Sequence, residues 1–198
     1  MPVLKKSDLY PMIRQTLSTL VVLLFIYLLT TIPVFATGIT IKHSKSYRQG
    51  DIYLLDADIE LDFSEESLNA LEHGIALQIH TVLRLKKERD WLWDKIISET
   101  VLRFRVEHHP LSDHYVVTDL LTDIQHTFQT RQAAVSFLNK LNNIPFFEAS
   151  LLKDNMSYTG HMRTKLDVES LPAPLRPIAY LSSHWQISSP WHSWKITQ

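Results

Sequence analysis

The sequence predicts a mainly β protein: an antiparallel β-sandwich or strongly curved sheet covered by two short helices. The alternative is a two-layer α+β arrangement with both helices on one face of an antiparallel sheet. Three observations carry this. Apolar and polar residues alternate over several separate stretches, the period of half-buried strands. Only two stretches carry helical spacing behind a capping hydroxyl. No internal repeat and no interdomain linker interrupts residues 37–198, which therefore read as one β-rich domain.

Ile39–Lys42 is a short candidate strand, and a turn near Gln49-Gly50 leads into Asp51–Phe63. There Leu55, Ala57, Ile59, Leu61 and Phe63 share one face, and Asp56, Asp58, Glu60 and Asp62 the other. Ser64 offers an N-cap, Glu65 and Glu66 occupy a first turn whose dipole favours negative charge, and Leu68 and Leu71 follow at helical spacing. Gly74 stands at the C′ position, so residues 65–73 read as a helix. Period two then returns: Ile75, Leu77, Ile79, Leu83 and Leu85 alternate with Gln78, His80, Arg84 and Lys86.

A charged turn, "KERDWLWD", carries Trp91 and Trp93. Lys95–His108 alternates again, with Leu102, Phe104 and Val106 opposite Arg103, Arg105 and Glu107, until Pro110. Tyr115–Leu120 and Ile124–Phe128 flank Leu121-Thr122-Asp123 as a hairpin. Thr130 caps a second helix striped by Ala134, Val135, Leu138 and Leu141, which Asn142-Asn143 and Pro145 are expected to stop. Phe146–Leu152 is a candidate strand, Lys153-Asp154-Asn155 a turn, and Ser157–Asp167 a further strand. "LPAPLRPIAYL" carries three prolines in six residues and is expected to be extended or polyproline-like.

The first residues have a different character. Lys5, Lys6 and Arg14 precede the uninterrupted apolar run "LVVLLFIYLL", and the stretch ends in "VFA". That order reads as a secretory signal cleaved between Ala36 and Thr37. The alternative is a retained anchor, because Leu17–Phe35 is just long enough to span roughly 30 Å of hydrocarbon. Both readings place residues 37–198 outside the cytoplasm, in the periplasm, since the Lys/Arg cluster stays inside.

The chain has 20 Lys+Arg against 21 Asp+Glu and a formal net charge of −1, which gives no electrostatic footprint for nucleic acid. It has no cysteine, hence no disulfide, thiolate metal site or thiol nucleophile. It also lacks a nucleophile elbow, a P-loop, a dinucleotide glycine fingerprint and the paired-histidine helix of zinc proteases. The expectation is a protein that is not an enzyme and uses no cofactor.

Three clusters invite a sharper reading. Eight acids and no Lys or Arg lie between Asp51 and Glu72, a composition that suggests calcium. Alternate carboxylates on a strand stand roughly 6.5–7 Å apart, however, and no loop wraps an ion. The acids are better read as a wet strand face, with Arg84, Lys86, Arg103 and Arg105 as their cross-strand partners. "EHHPLSDH" groups Glu107, His108, His109, Asp113 and His114 as candidate zinc or copper ligands, but adjacent His108 and His109 point to opposite faces. Trp185, Trp191 and Trp194 are the candidate partner-binding patch, weighed against a terminal strand that closes the core.

The C-terminal arrangement "LPAPLRPIAYLSSHWQISSPWHSWKI", with the acid-alternating strand and "SEESLNALEHGIALQI", resembles an exported bacterial family carried as a domain of unknown function. That family is sometimes named "proline-rich signal peptide protein". The resemblance covers most of residues 39–196, and its best marks are Leu171–Leu181 and the three tryptophans. It implies an exported Gram-negative protein without an assigned activity. Members are often encoded beside a two-component sensor kinase and response regulator, which implies an accessory role in envelope signalling. It supplies no catalytic residues.

The expected function is thus a non-enzymatic envelope binding or accessory module with a protein partner, touching the membrane only through residues 17–35 if these are retained. The alternatives are a lipid- or envelope-component-handling β domain and a metal-dependent hydrolase built on the His108–His114 region.

Overall fold

The computed structural model describes residues 38–197 apart from 90 and 92. The expected signal or anchor at Leu17–Phe35 and its cleavage point at Ala36 and Thr37 lie outside the described residues. The strands are β1 (Ile39–Gln49), β2 (Ile52–Leu61), β3 (Leu77–Lys87), β4 (Lys95–His109), β5 (His114–Asp119), β6 (Gln125–Phe128), β7 (Lys140–Glu148), β8 (Tyr158–Leu166) and β9 (His192–Lys195). The helices are α1 (Glu65–Glu72), α2 (Arg131–Leu138) and α3 (Arg176–Leu181). None of the helices among the described residues is long and apolar enough to cross a membrane.

Every pairing is antiparallel, in two sheets: sheet A, ordered β1-β2-β7, and sheet B, ordered β6-β5-β4-β3-β8-β9. The chain changes sheet through α1, between β2 and β3, and again through α2, between β6 and β7.

One core joins the sheets. Leu55, Ala57, Ile59 and Leu61 of β2 meet Leu77, Ile79, Leu83 and Leu85 of β3, with Leu102 and Val106 of β4 and Met162 and Leu166 of β8 beside them. Each buried Leu or Ile contributes about 1.5–3 kcal/mol relative to exposure. The two hydroxyls in this layer, Thr81 and Thr164, are register partners and satisfy each other at 2.9 Å. Gly160 of β8 lies opposite Trp194 of β9, and the indole rests directly on the glycine backbone. From there Trp194 donates its N–H to Ser46 Oγ of β1 at 2.9 Å, tying the sheets together.

The caps follow the sequence. Ser64 Oγ accepts from Ser67 N and Thr130 Oγ1 from Ala133 N, both at 3.2 Å. Gly74 follows α1 at φ +80°, a left-handed conformation that glycine adopts without steric cost.

Four expectations are corrected. The second helix stops at Leu138, and β7 runs through Leu141, Asn142, Asn143 and Pro145. The free edge of β2 captures this segment: Asn139 accepts from Ile59 N through its carbonyl at 2.7 Å and from Leu61 N through its side chain at 3.2 Å. Pro145 is tolerated because β7 is an edge strand. The strand expected over Phe146–Leu152 ends at Glu148 and gives way to a 3-10 turn over Ala149–Leu151. Residues 176–181 form α3 rather than an extended run, because Pro177 falls in the first helical turn, where its missing N–H costs nothing.

The fourth correction concerns the acids. Because β2 and β3 belong to different sheets, the acids of β2 do not face Arg84, Lys86, Arg103 or Arg105. Glu60 pairs with Lys42 at 2.7 Å, and Asp56 and Asp58 lie opposite Lys45 and Lys140 in register.

Candidate functional site

The structure disperses the three C-terminal tryptophans. Trp185 is buried in the core with Ile187, at 7% exposure, so it offers a partner no surface. Trp194 is half-buried and holds Gly160, Ser46 and Phe146. Trp191, 40% exposed, lies with its ring centroid 4.5 Å from the Arg84 guanidinium, a cation–π contact.

Asp56 has a structural task. Asn142 and Asn143 form a bulge opposite it, with Asn143 at φ +55°. Asp56 Oδ1 accepts from Asn143 N at 2.8 Å, and the Tyr47 hydroxyl donates to Asn143 Oδ1 at 2.8 Å.

The histidine group is likewise taken up by packing. His108, stacked on Tyr115 with centroids 4.6 Å apart, reaches Glu72 O with Nδ1 at 3.0 Å and Asp113 Oδ1 with Nε2 at 3.1 Å. Both partners are acceptors, so the doubly protonated ring satisfies both. The bond to the Glu72 carbonyl is the largest cause that raises the His108 pKa above its ordinary value. The Tyr115 hydroxyl, pushed up to about 12 by burial and then by its bond to the Glu72 carboxylate, donates to that group, which Arg131 also meets at 3.0 Å. His109 is exposed, while His114 Nδ1 turns to Ser112 O within its own turn. Glu107 reaches Arg105 instead, at 3.9 Å. Among the described residues no three His, Asp or Glu side chains are placed to hold a metal ion.

A concave feature with a largely apolar lining lies elsewhere. Sheet B has six strands and sheet A three, so β5 and β6 extend beyond the cover of β7, and α2 closes only part of the overhang. The cleft left there has a volume of about 280 Å³. Its apolar walls are Phe104, Ile124, Phe137, Leu138, Leu141 and Ile144, and its rim carries Asp119, Thr122, His126, Lys140 and Asn142. Asp119 is occupied in capping Leu121 N at 2.9 Å. Lys140 meets no carboxylate within ion-pair distance among the described residues. The residues lie too far apart in sequence for periodicity to join them.

The family model "Domain of unknown function (DUF4390)" matches residues 36–195. The chain belongs to the DUF4390 family. The match spans both sheets and all three helices, so the cleft and the tryptophans are parts of the DUF4390 domain itself. No curated protein and no solved structure gave a match.

Proposed function

We propose that this DUF4390 protein is a non-catalytic binding module of the bacterial envelope that holds an apolar segment, such as an acyl chain, in the cleft between α2, β7 and the overhanging strands of sheet B. The observation that carries this reading is an apolar cleft open to solvent, lined by Phe104, Phe137 and Leu141, with Lys140 at the rim. At about 280 Å³ it is slightly smaller than typical ligand pockets, which run from roughly 300 to 1,000 Å³, and suits one chain segment rather than a bulky ring system. The envelope location rests on the basic and apolar residues 1–36, and the resemblance to genes neighbouring sensor kinases supports an accessory role. A protein partner is less well supported than the sequence suggested, because Trp185 and Trp194 are engaged internally.

The test is titration of residues 37–198 with a dansyl-labelled fatty acid. Saturable binding by the wild type, lost in Phe137→Glu and weakened in Lys140→Ala, is the expected result. A wild type that fails to saturate, or a Phe137→Glu variant that binds as well, sinks the reading.

A further inference from the structure

Separating β2 from β3 leaves the bases of sheet B without the acids expected to neutralise them. In β3, β4 and β8 the residues at 77, 79, 83, 85, 102, 106, 162 and 166 are buried, so the alternate positions form the outer face. That face carries Arg84 and Lys86 on β3, Arg103 and Arg105 on β4, and Arg163 and Lys165 on β8. Its acids are Glu99 and Glu107, held by Arg84 and Arg105 respectively, with Asp167, 3.6 Å from His80, and Glu169 at one margin and Asp94 near His161 at the other, so the bases still outnumber the acids. In a chain of formal net charge −1, this face is a local concentration of positive charge.

A second observation stands at the end of the same two strands. The β3–β4 connection presents Trp91 at 96% and Trp93 at 94% exposure, touching none of the core. Trp191, over Arg84, adds a third ring on this side. Indole rings favour the headgroup level of a bilayer, and lysine and arginine near the surface favour anionic lipid.

We propose that the outer face of sheet B, with Trp91 and Trp93 at its rim, docks this protein on an anionic phospholipid bilayer. The bases lie over the phosphates, and the two indoles enter the interface. An acidic protein would use the bases but give the tip tryptophans nothing to enter, so the bilayer accounts for both features. The inference uses a different surface from the acyl cleft and stands or falls separately from it.

Among the described residues the core runs from Ile39 to Ile196, and residues 37–198 cluster as one compact unit, so they can be tested without residues 1–36. Co-sedimentation is measured with vesicles containing phosphatidylglycerol and with pure phosphatidylcholine vesicles. The expected result is binding to the former only, weakened by salt because exposed charges are screened. Arg103→Ala/Lys165→Ala, at two exposed positions, is expected to weaken binding roughly 25-fold, about fivefold per base. Trp91→Ala/Trp93→Ala is expected to weaken it and to abolish the blue shift of indole emission on adding vesicles. Unfolding midpoints matching the wild type show that the variants are folded. Absence of phosphatidylglycerol-dependent binding, or double variants that bind like the wild type, overturns the proposal. Capture by polyglutamate without vesicle binding also overturns it and assigns the face to an acidic protein.

Discussion

Gly160→Ala tests how the two sheets are locked together. A methyl group at this position would stand 2.4 Å from Trp194 Cε2, 2.5 Å from Cζ2 and 2.9 Å from Nε1. The indole must move, because the glycine is paired on both sides, with Leu85 of β3 and Trp194 of β9, and cannot retreat. Forcing a methyl into a filled contact costs about 1–3 kcal/mol. Displacing the ring also breaks the bond to Ser46, worth about 0.5–1.5 kcal/mol. The sum is about 1.5–4.5 kcal/mol, a fall in Tm of roughly 3–18 °C for a domain of this size. Urea unfolding of residues 37–198 measures it, with Trp194→Leu and the double variant completing a cycle. In the Trp194→Leu background the clash is gone, and Gly160→Ala should be neutral or mildly stabilising, since glycine weakens a strand interior. A Gly160→Ala protein as stable as the wild type, or one with the same cost in both backgrounds, refutes the reasoning.

Two further outcomes follow from buried polar contacts. The raised pKa of His108 means its stabilising contribution is fully present below the unfolded value of about 6.5 and is lost as pH rises through the higher folded value. The stability difference between wild type and His108→Gln should therefore shrink from about pH 6 to about pH 8, and a difference constant over that range refutes the assignment. Thr81→Val alone leaves the Thr164 hydroxyl buried without its partner and should cost about 1–3 kcal/mol. Thr81→Val/Thr164→Val should cost less than the single change by denaturant unfolding, and a double variant that is worse than the single one counts against the pairing.

Much of the fold is legible locally. The alternation over Leu55–Phe63, the cap at Ser64, the C′ Gly74 and the hairpin around Leu121–Asp123 all stand where spacing and turn chemistry put them. Each depends on neighbours in sequence. Lys140–Pro145 reads as the end of a helix and is instead part of an edge strand, since the unpaired backbone of β2 is a stronger partner than local helical spacing. Trp91 and Trp93 are visible in the sequence only as residues of a charged turn, and no periodicity reveals that they stand almost fully exposed.

The sequence by itself determined the inward and outward residues of β2, β3 and β4, because an antiparallel strand with one wet face writes its burial into a period of two. It could not determine which strand lies beside which. The assignment of β2 to one sheet and β3 to the other rests on pairings between segments far apart in the chain, such as β2 with β7. That assignment removed the acids of Asp56–Asp62 from the bases of Arg84–Arg105 and left the latter as a cationic face. It also made the larger sheet overhang the smaller one, which opened the cleft. Both features are products of sheet composition, a property that arises only when the whole chain has chosen its neighbours.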